Sequence, residues 1–419
     1  MAQTHCGVDF GTTNSTVGLC QPGEAPRLIA LEDGQGTIPT ALFFSLEDGR
    51  TYFGRAAVRE YMEGAEGRFM RALKSILGTS LMGETTQVGR DRLSFEAIIG
   101  RFLRHLRTRL ETENGSAPDK VVLGRPVRFV DEDDEADRTA EAQLASAARA
   151  EGFRTIAFQF EPVAAALHHE RGLSREQLAL VVDIGGGTSD FSVLRLSPQR
   201  AADPDRLRDI LSTSGVHVGG TDFDRRLSIA RIMPELGLGT LTADGRRHMP
   251  VWYFNDMATW HRINTLYTAR NARDIQTLIR EAAEPEKLRR YAHVLKHRSG
   301  HRLAAEAERA KIALTDTEQA IIRLSEQGLD LGIPIDRADF EAAVAELVEG
   351  ISAALDAALK LAGVTAQAVD TVILTGGGVQ VPVVEAAAIA RFPDADVLRS
   401  DRFGSVGLGL AIDAARRFG

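Results

Sequence analysis

Two segments of this chain repeat one design: an apolar run ends in an aspartate, glycines and threonines follow, and a second apolar run comes next. The first is Gly7-Val8-Asp9-Phe10-Gly11-Thr12-Thr13-Asn14-Ser15-Thr16-Val17-Gly18-Leu19. The second is Leu180-Val181-Val182-Asp183-Ile184-Gly185-Gly186-Gly187-Thr188-Ser189-Asp190-Phe191-Ser192-Val193-Leu194. Glycine lets backbone N–H groups converge on an anion and threonine hydroxyls add donors, so each segment reads as a phosphate clip between two strands. The two aspartates, Asp9 and Asp183, then suit a hydrated divalent cation held against a polyphosphate from opposite sides. A nucleotide between two similar lobes is the simplest arrangement that uses both clips.

With 419 residues the chain exceeds one ordinary hydrophobic core, so at least two domains are expected. A formal net charge of −8 argues against general affinity for nucleic acid or an anionic membrane, which need a clustered positive field. No apolar run reaches the roughly 20 residues of a membrane span, and the start lacks a signal core; a cytoplasmic protein is expected. Cys6 and Cys20 sit on the two arms of the first hairpin, where they could face each other, and read as reduced thiols.

Periodicity and turn residues give strands at 5–10, 15–19 and 41–45, an antiparallel meander. Helical spacing follows over 55–77 and 95–110, then a strand at 120–123, a helix over 135–150, a strand at 155–159 and a helix over 162–170. Further strands are expected at 180–183, 191–196, 211–217, 321–324 and 371–374, with helices over 340–361 and 406–418 and a mostly helical stretch from about 240 to 311. Strands interleaved with helices in two blocks define an α/β protein. Lobe I would cover 1–179, with a helical insertion at about 46–115 and completion by a helix at about 404–419; lobe II would cover 180–403, with a helical subdomain at about 230–318.

Two more glycine clusters follow strands. Gly376, Gly377 and Gly378 would let a flat base or sugar pack on bare backbone, while Gly219-Gly220-Thr221-Asp222 would cap a helix and offer amides to an anion. Hydrolysis needs groups that position water and offset charge, and Lys74 and Glu161 are the candidates. His293, His297 and His301, at four-residue steps, read as a solvated helix face rather than a metal site. The acidic run 131–137 reads as a helix start, and Trp252, Tyr253, Phe254 and Trp260 as packing of the helical stretch.

In order along the chain, Gly7 to Thr16, Lys74 to Gly78, Gly124-Arg125-Pro126, Glu161 to Leu167, Asp183 to Thr188, Gly219 to Asp224, Glu308 to Thr315 and Thr375 to Pro382 resemble the Hsp70 nucleotide-binding domain. Within that family the likeness is closest to the truncated bacterial YegD-type proteins, through Gly124-Arg125-Pro126, Phe158 to Ala165, Glu284 to Lys287 and Phe403 to Val406. The resemblance implies an actin-like ATPase fold, a duplicated ribonuclease H-like architecture with two lobes around a nucleotide cleft, and ATP or ADP with Mg²⁺ as ligands. It implies that Asp9 and Asp183 face the hydrated metal, and that Gly11, Thr12, Thr13, Asn14, Gly185, Gly186, Gly187 and Thr188 surround the phosphates. Lys74 and Glu161 would orient the attacking water, with Asp183 and Thr188 beside them. Glu308, Lys311 and Thr315 would lie around ribose and adenine, with Gly219, Gly220, Gly376, Gly377, Gly378 and Gln380 completing the nucleotide contacts, and Pro126 would relay nucleotide state.

The chain departs from the family pattern at Gln380, where an arginine usually stacks on adenine, and at Asp401-Arg402-Phe403-Gly404. Proline-to-arginine spacing after Pro126 is longer, which leaves Arg138 without a role. Arg416-Arg417-Phe418-Gly419 ends the sequence before the β-sandwich of a full chaperone, so peptide capture by that route is not expected. The resulting expectation is a slow Mg²⁺-dependent ATPase acting as a nucleotide-controlled switch. Its rivals are a nucleotide-gated actin-like filament protein and a small-molecule kinase of the same fold.

Overall fold

The protein is described by a computed structural model over residues 4–116, 118–130, 133–201, 203, 205–399 and 404–419. Two compact units emerge, one from Met1–His217, Ala353–Val379 and Ala388–Gly419, the other from Val218–Ser352 and Gln380–Ala387. In chain order the first unit begins with β1 (His5–Phe10), β2 (Asn14–Cys20), β3 (Arg27–Leu28), β4 (Thr37–Pro39), β5 (Ala41–Ser45), β6 (Thr51–Phe53), α1 (Gly54–Glu63) and β7 (Gly67–Arg71). It continues through β8 (Thr85–Val88), β9 (Asp91–Ser94), α2 (Phe95–Asn114), β10 (Lys120–Arg125), α3 (Asp134–Ala150), β11 (Thr155–Phe160) and α4 (Glu161–Glu170). A second sheet then opens with β12 (Gln177–Ile184), β13 (Ser189–Leu196) and β14 (Ile210–Val216).

The second unit holds α5 (Gly220–Leu227), α6 (Val251–Met257), α7 (Ala269–Glu281), α8 (Pro285–Lys296), α9 (Gly300–Asp316), β15 (Gln319–Glu326) and β16 (Leu329–Asp336). The chain then runs through α10 (Arg337–Ala362), β17 (Thr371–Thr375), α11 (Pro382–Ile389), β18 (Asp396–Arg399) and α12 (Ser405–Phe418).

The two large sheets of the first unit have one topology. Their strand orders are β11-β10-β1-β2-β3 and β14-β13-β12-β17-β18. In each, a hairpin (β1–β2 or β12–β13) continues through two parallel strands, as β1 pairs with β10 and β12 with β17. Alternation decides what each face buries. Cys6, Val8, Phe10, Val17 and Leu19 pack with Phe102, Leu103 and Leu106 of α2 and Leu144 of α3. Val122 of β10, Val181 of β12, Leu194 of β13 and Ile373 of β17 instead share one core with α4 and α12. Those two helices therefore form a layer between the sheets, and each fully buried leucine or phenylalanine contributes about 1.5–3 kcal/mol to holding it. Close approach requires glycine: a side chain on Gly409 of α12 would strike the Ala164 carbonyl of α4, and one on Gly18 would strike Gly407.

Most expected elements form, with instructive exceptions. Ala41–Ser45 joins a separate three-stranded sheet, β6-β5-β7, rather than the first meander. The helix expected over 55–77 stops at Gly64, whose φ of 81° is left-handed, and residues 67–71 pair with β5 instead. Local periodicity cannot report that long-range pairing. β16 and β18 were not anticipated; β16 alternates strictly between buried and exposed positions, so its Leu-Asp-Leu-Gly-Ile-Pro-Ile-Asp pattern carried the signal. Register sets Cys6 opposite Leu19 and Cys20 opposite His5. Neighbouring residues of a strand point to opposite faces, so the two thiols do not face each other.

His293 lies on α8, His297 follows that helix and His301 belongs to α9, so the three share no continuous helix face. His301 is buried with its ring nitrogen 3.1 Å from the Trp260 carbonyl, and His293 pairs with Glu326 at 3.0 Å, which overturns the solvated face. Tyr253 and Phe254 are buried, whereas Trp252 is 46% exposed and stacks on Tyr253. Asp133 caps α3 by accepting from Glu135 and Ala136 N–H groups. The preceding acidic residues, Asp131 and Glu132, lie outside the described residues, as do Asp401, Arg402 and Phe403.

Candidate functional site

Asp9 and Asp183 sit near the carboxyl ends of β1 and β12. By strand alternation Asp9 shares a face with Gly7, and Asp183 with Val181, so both carboxylates lie on the sides of their sheets that meet the α4 and α12 layer. Each is only half-buried although its strand neighbours are closed off, which places both in a solvent-reachable recess. Open α/β sheets commonly bind ligands beyond the carboxyl ends of their strands.

Lys74 reaches the same recess from a 3₁₀ turn, Leu73–Ile76, entered through Ala72 at φ 54°. That left-handed conformation costs an L-residue about 1–2 kcal/mol, so the turn is held by its surroundings rather than by local preference. The Lys74 Nζ donates to the Glu161 carboxylate, with side chains only 9% and 16% exposed. Glu161 is the first residue of α4, and its Cγ lies 3.3 Å from where a Cβ on Gly124 would be.

Among the described residues the charges do not balance. Burial pushes Asp9 up to about 7, with the Glu161 carboxylate adding to the shift and Lys74 opposing it. Burial likewise pushes Asp183 up to about 8, reinforced by Asp190, Glu161 and Asp9 and opposed by Lys74. Burial alone would lower Lys74, but Glu161, Asp9 and Asp183 outweigh it and leave its pKa raised, so the ammonium stays charged. Among the described residues, four carboxylates thus act on a region with one cationic side chain. Such a set suits an added divalent cation, which would favour the ionised form of both aspartates. Among the described residues no three His, Cys, Asp or Glu side chains are grouped to hold a metal directly.

The glycine loops meet beside these charges. A Cβ on Gly186 would lie 2.5 Å from the Thr13 hydroxyl oxygen, so the turn after β12 touches the turn after β1. Gly185 N–H donates to the Thr188 carbonyl at 2.9 Å, closing the second turn around Gly186 and exposed Gly187. The Thr188 hydroxyl donates to Asp190 at 2.9 Å. Thr12 and Thr13 stand at the tip between Gly11 and Asn14, and the Thr13 carbonyl accepts from Thr40 N–H at 2.8 Å. Behind Asp183, Gly376 adopts φ 84°, and a Cβ there would come within 2.7 Å of the Asp183 carboxylate. Gly377 follows, and Gly378 packs on Ile184.

In the second unit, Gly219 precedes α5 and its N–H donates to Asp222 at 3.0 Å. Lys311 Nζ donates to the Gly220 carbonyl at 3.2 Å and pairs with Asp224 at 2.9 Å. Burial raises Asp224 to about 6 against the pull of Lys311. Glu308 is exposed and Thr315 half-buried on the same helix, α9, while Gln380 ends the 3₁₀ turn Gly378–Gln380. Sequence reasoning assigned no role to Asp190 or Arg125. Asp190 stands directly across the hairpin from Asp183, a pairing set by the register of β12 and β13.

A family model described as Hsp70 protein matches residues 5–233 and 278–415. The chain belongs to the Hsp70 family and is an Hsp70-like ATP-binding protein on the actin-like ATPase fold. Members of the family bind ATP and ADP, usually with Mg²⁺. No described helix is long and apolar enough to cross a membrane.

Proposed function

We propose that this chain is a slow, Mg²⁺-dependent ATPase, turning ATP into ADP and phosphate as a nucleotide-controlled switch with a chaperone-type role, in a cytoplasmic setting and close in kind to the YegD-type proteins. The observation that carries it is the recess where Asp9, Glu161, Asp183 and Asp190 act on the region of one cation, Lys74, beside two touching Gly/Thr turns.

In this reading Thr12, Thr13, Asn14 and the Gly185–Thr188 backbone donate hydrogen bonds to the phosphates. Asp9 and Asp183 accept from the metal's water ligands, and magnesium, when bound, supplies positive charge to the phosphate oxygens. Lys74 holds Glu161 in place and offers an ammonium near the reacting phosphate, while Glu161 accepts a hydrogen bond from water and orients it. Glu308, Lys311 and Thr315 are assigned to the sugar and base, with the Gly219 and Gly376 clusters and Gln380 as further contacts. Burial, reinforced by the neighbouring carboxylates, favours protonation of both aspartates, and a bound divalent cation would offset it.

Calorimetry with ATP and Mg²⁺, followed by phosphate-release measurements, tests this directly. Binding that needs Mg²⁺ and a release rate lost in Lys74→Ala are expected. Absence of nucleotide binding by the unaltered chain would reject it.

A further inference from the structure

The strand before Glu161 and the strand beside it end in register, Gly124 opposite Gln159 and Arg125 opposite Phe160. Arg125 is 12% exposed and every part of its guanidinium is engaged. Nε donates to the Pro126 carbonyl at 3.0 Å, and Nη2 to Asp137 at 2.7 Å and the Val127 carbonyl at 3.3 Å. Nη1 pairs with Glu141 of α3. The guanidinium carbon also lies 5.2 Å from the Phe129 ring centre and 5.3 Å from that of Phe160, so a cation bridges two aromatic rings. The Asp137 carboxylate additionally accepts from Phe129 N–H at 2.6 Å, which holds the backbone that carries the first of those rings.

Phe160 is the residue from which α4 starts, and it supplies no side-chain cap. The direction in which Glu161 leaves the sheet is therefore set by how Phe160 is held. Its ring is covered by Arg125, and its N–H is taken by the side chain of Gln159, itself bonded to Asp413 of α12 at 3.2 Å. Far down the same helix, Glu170 is clamped by buried Arg206 at 2.7 and 2.8 Å, which leaves the first turn as the end where Arg125 acts.

We infer that Arg125 is a positioning residue that, through Phe160, keeps Glu161 on Lys74 and aimed into the phosphate recess. The role rests on the ATPase reading for its catalytic consequence, but not for its geometry. A lysine cannot replace it, because a point ammonium neither spreads across two rings nor reaches Asp137, Glu141 and two carbonyls at once.

The test is a double-mutant cycle on the full chain, pairing Arg125→Lys or Phe160→Leu with Glu161→Gln. Single-turnover phosphate release, the Kd for Mg²⁺ and ATP, and acetylation of Lys74 by acetic anhydride are the readouts. Either single change is expected to slow release about tenfold and raise Lys74 acetylation about fivefold while the Kd stays within about twofold, and both effects should vanish when Glu161 is already glutamine. Additive losses, an equal loss in Kd, or no change in either single variant would overturn the role. Should the unaltered chain bind no ATP or release no phosphate, the ATPase reading falls, and the acetylation cycle alone decides on Arg125. There, a rise that persists in the Glu161→Gln background, or no rise at all, refutes it.

Discussion

The β1–β2 and β12–β13 hairpins share strand order, register logic and a carboxylate near the end of the first strand, yet they treat that carboxylate differently. Asp9 stands across from Thr16 and has Lys74 among its charged neighbours. Asp183 stands across from Asp190, and like charges directly opposite in a sheet repel. Lys74, which lies outside both hairpins, opposes the upward shift at each aspartate, so what sets the second hairpin apart is the added carboxylate of Asp190. Duplicated architecture does not mean duplicated electrostatics, and the second hairpin is where ligand state should register most strongly.

The comparison is broken most severely at its shared cation. Lys74→Ala should lower single-turnover hydrolysis by about 10²–10³-fold, since it removes the charge that both aspartates and Glu161 experience. A loss confined to ATP affinity would show that Lys74 only binds. Next come the aspartates. Asp183→Asn and Asp9→Asn should each weaken Mg²⁺-dependent ATP binding about tenfold or more, about 1.4 kcal/mol, with little change in metal-free binding, as calorimetry with and without chelator would reveal.

Acidity sharpens the difference between the two hairpins. A folded Asp183 keeps its proton to about pH 8, whereas the unfolded chain releases it near the ordinary value of 3.8. Between those limits the native state binds more protons, so this group's contribution to nucleotide-free stability falls as pH rises. Thermal melts from pH 5 to 8 should show a shallower decline in Asp183→Asn, and Asp9→Asn should flatten the curve over the narrower window that ends near pH 7. Equal slopes in all three proteins would contradict the assignment.

The glycines are read in stability rather than in turnover. Gly376→Ala, at φ 84° and with its new Cβ 2.4 Å from the Ile184 carbonyl oxygen, should cost about 2 kcal/mol or more in denaturant unfolding. Gly187→Ala, with open space and no positive φ, should stay within about 0.5 kcal/mol.

Both hairpins were legible because alternation, a terminal aspartate and a glycine turn are all local signals. The expected helix over 55–77 was wrong for the opposite reason: residues 67–71 are a strand because β5 lies beside them, and Lys74 owes its place to the turn that follows. Lys74 and Glu161 were nominated as a pair from chemistry and resemblance, but their direct ion pair is a property of the folded chain. Arg125 stood in a quoted motif without a role because its partners come from α3 and the end of β11, distant in sequence. The cysteines show how one residue of register matters, since Cys20 opposes His5 rather than Cys6.

Helix α12 occupies the face of β1 and β2 that carries Gly7 and Gly18. Strands β1 and β2 therefore cannot complete their packing until the 14-residue helix α12 has been synthesised and has left the ribosome exit tunnel. During translation that bare glycine-lined surface is a vulnerability, and newborn chains arrested before Ser405 should be cut rapidly by protease while those that include α12 resist.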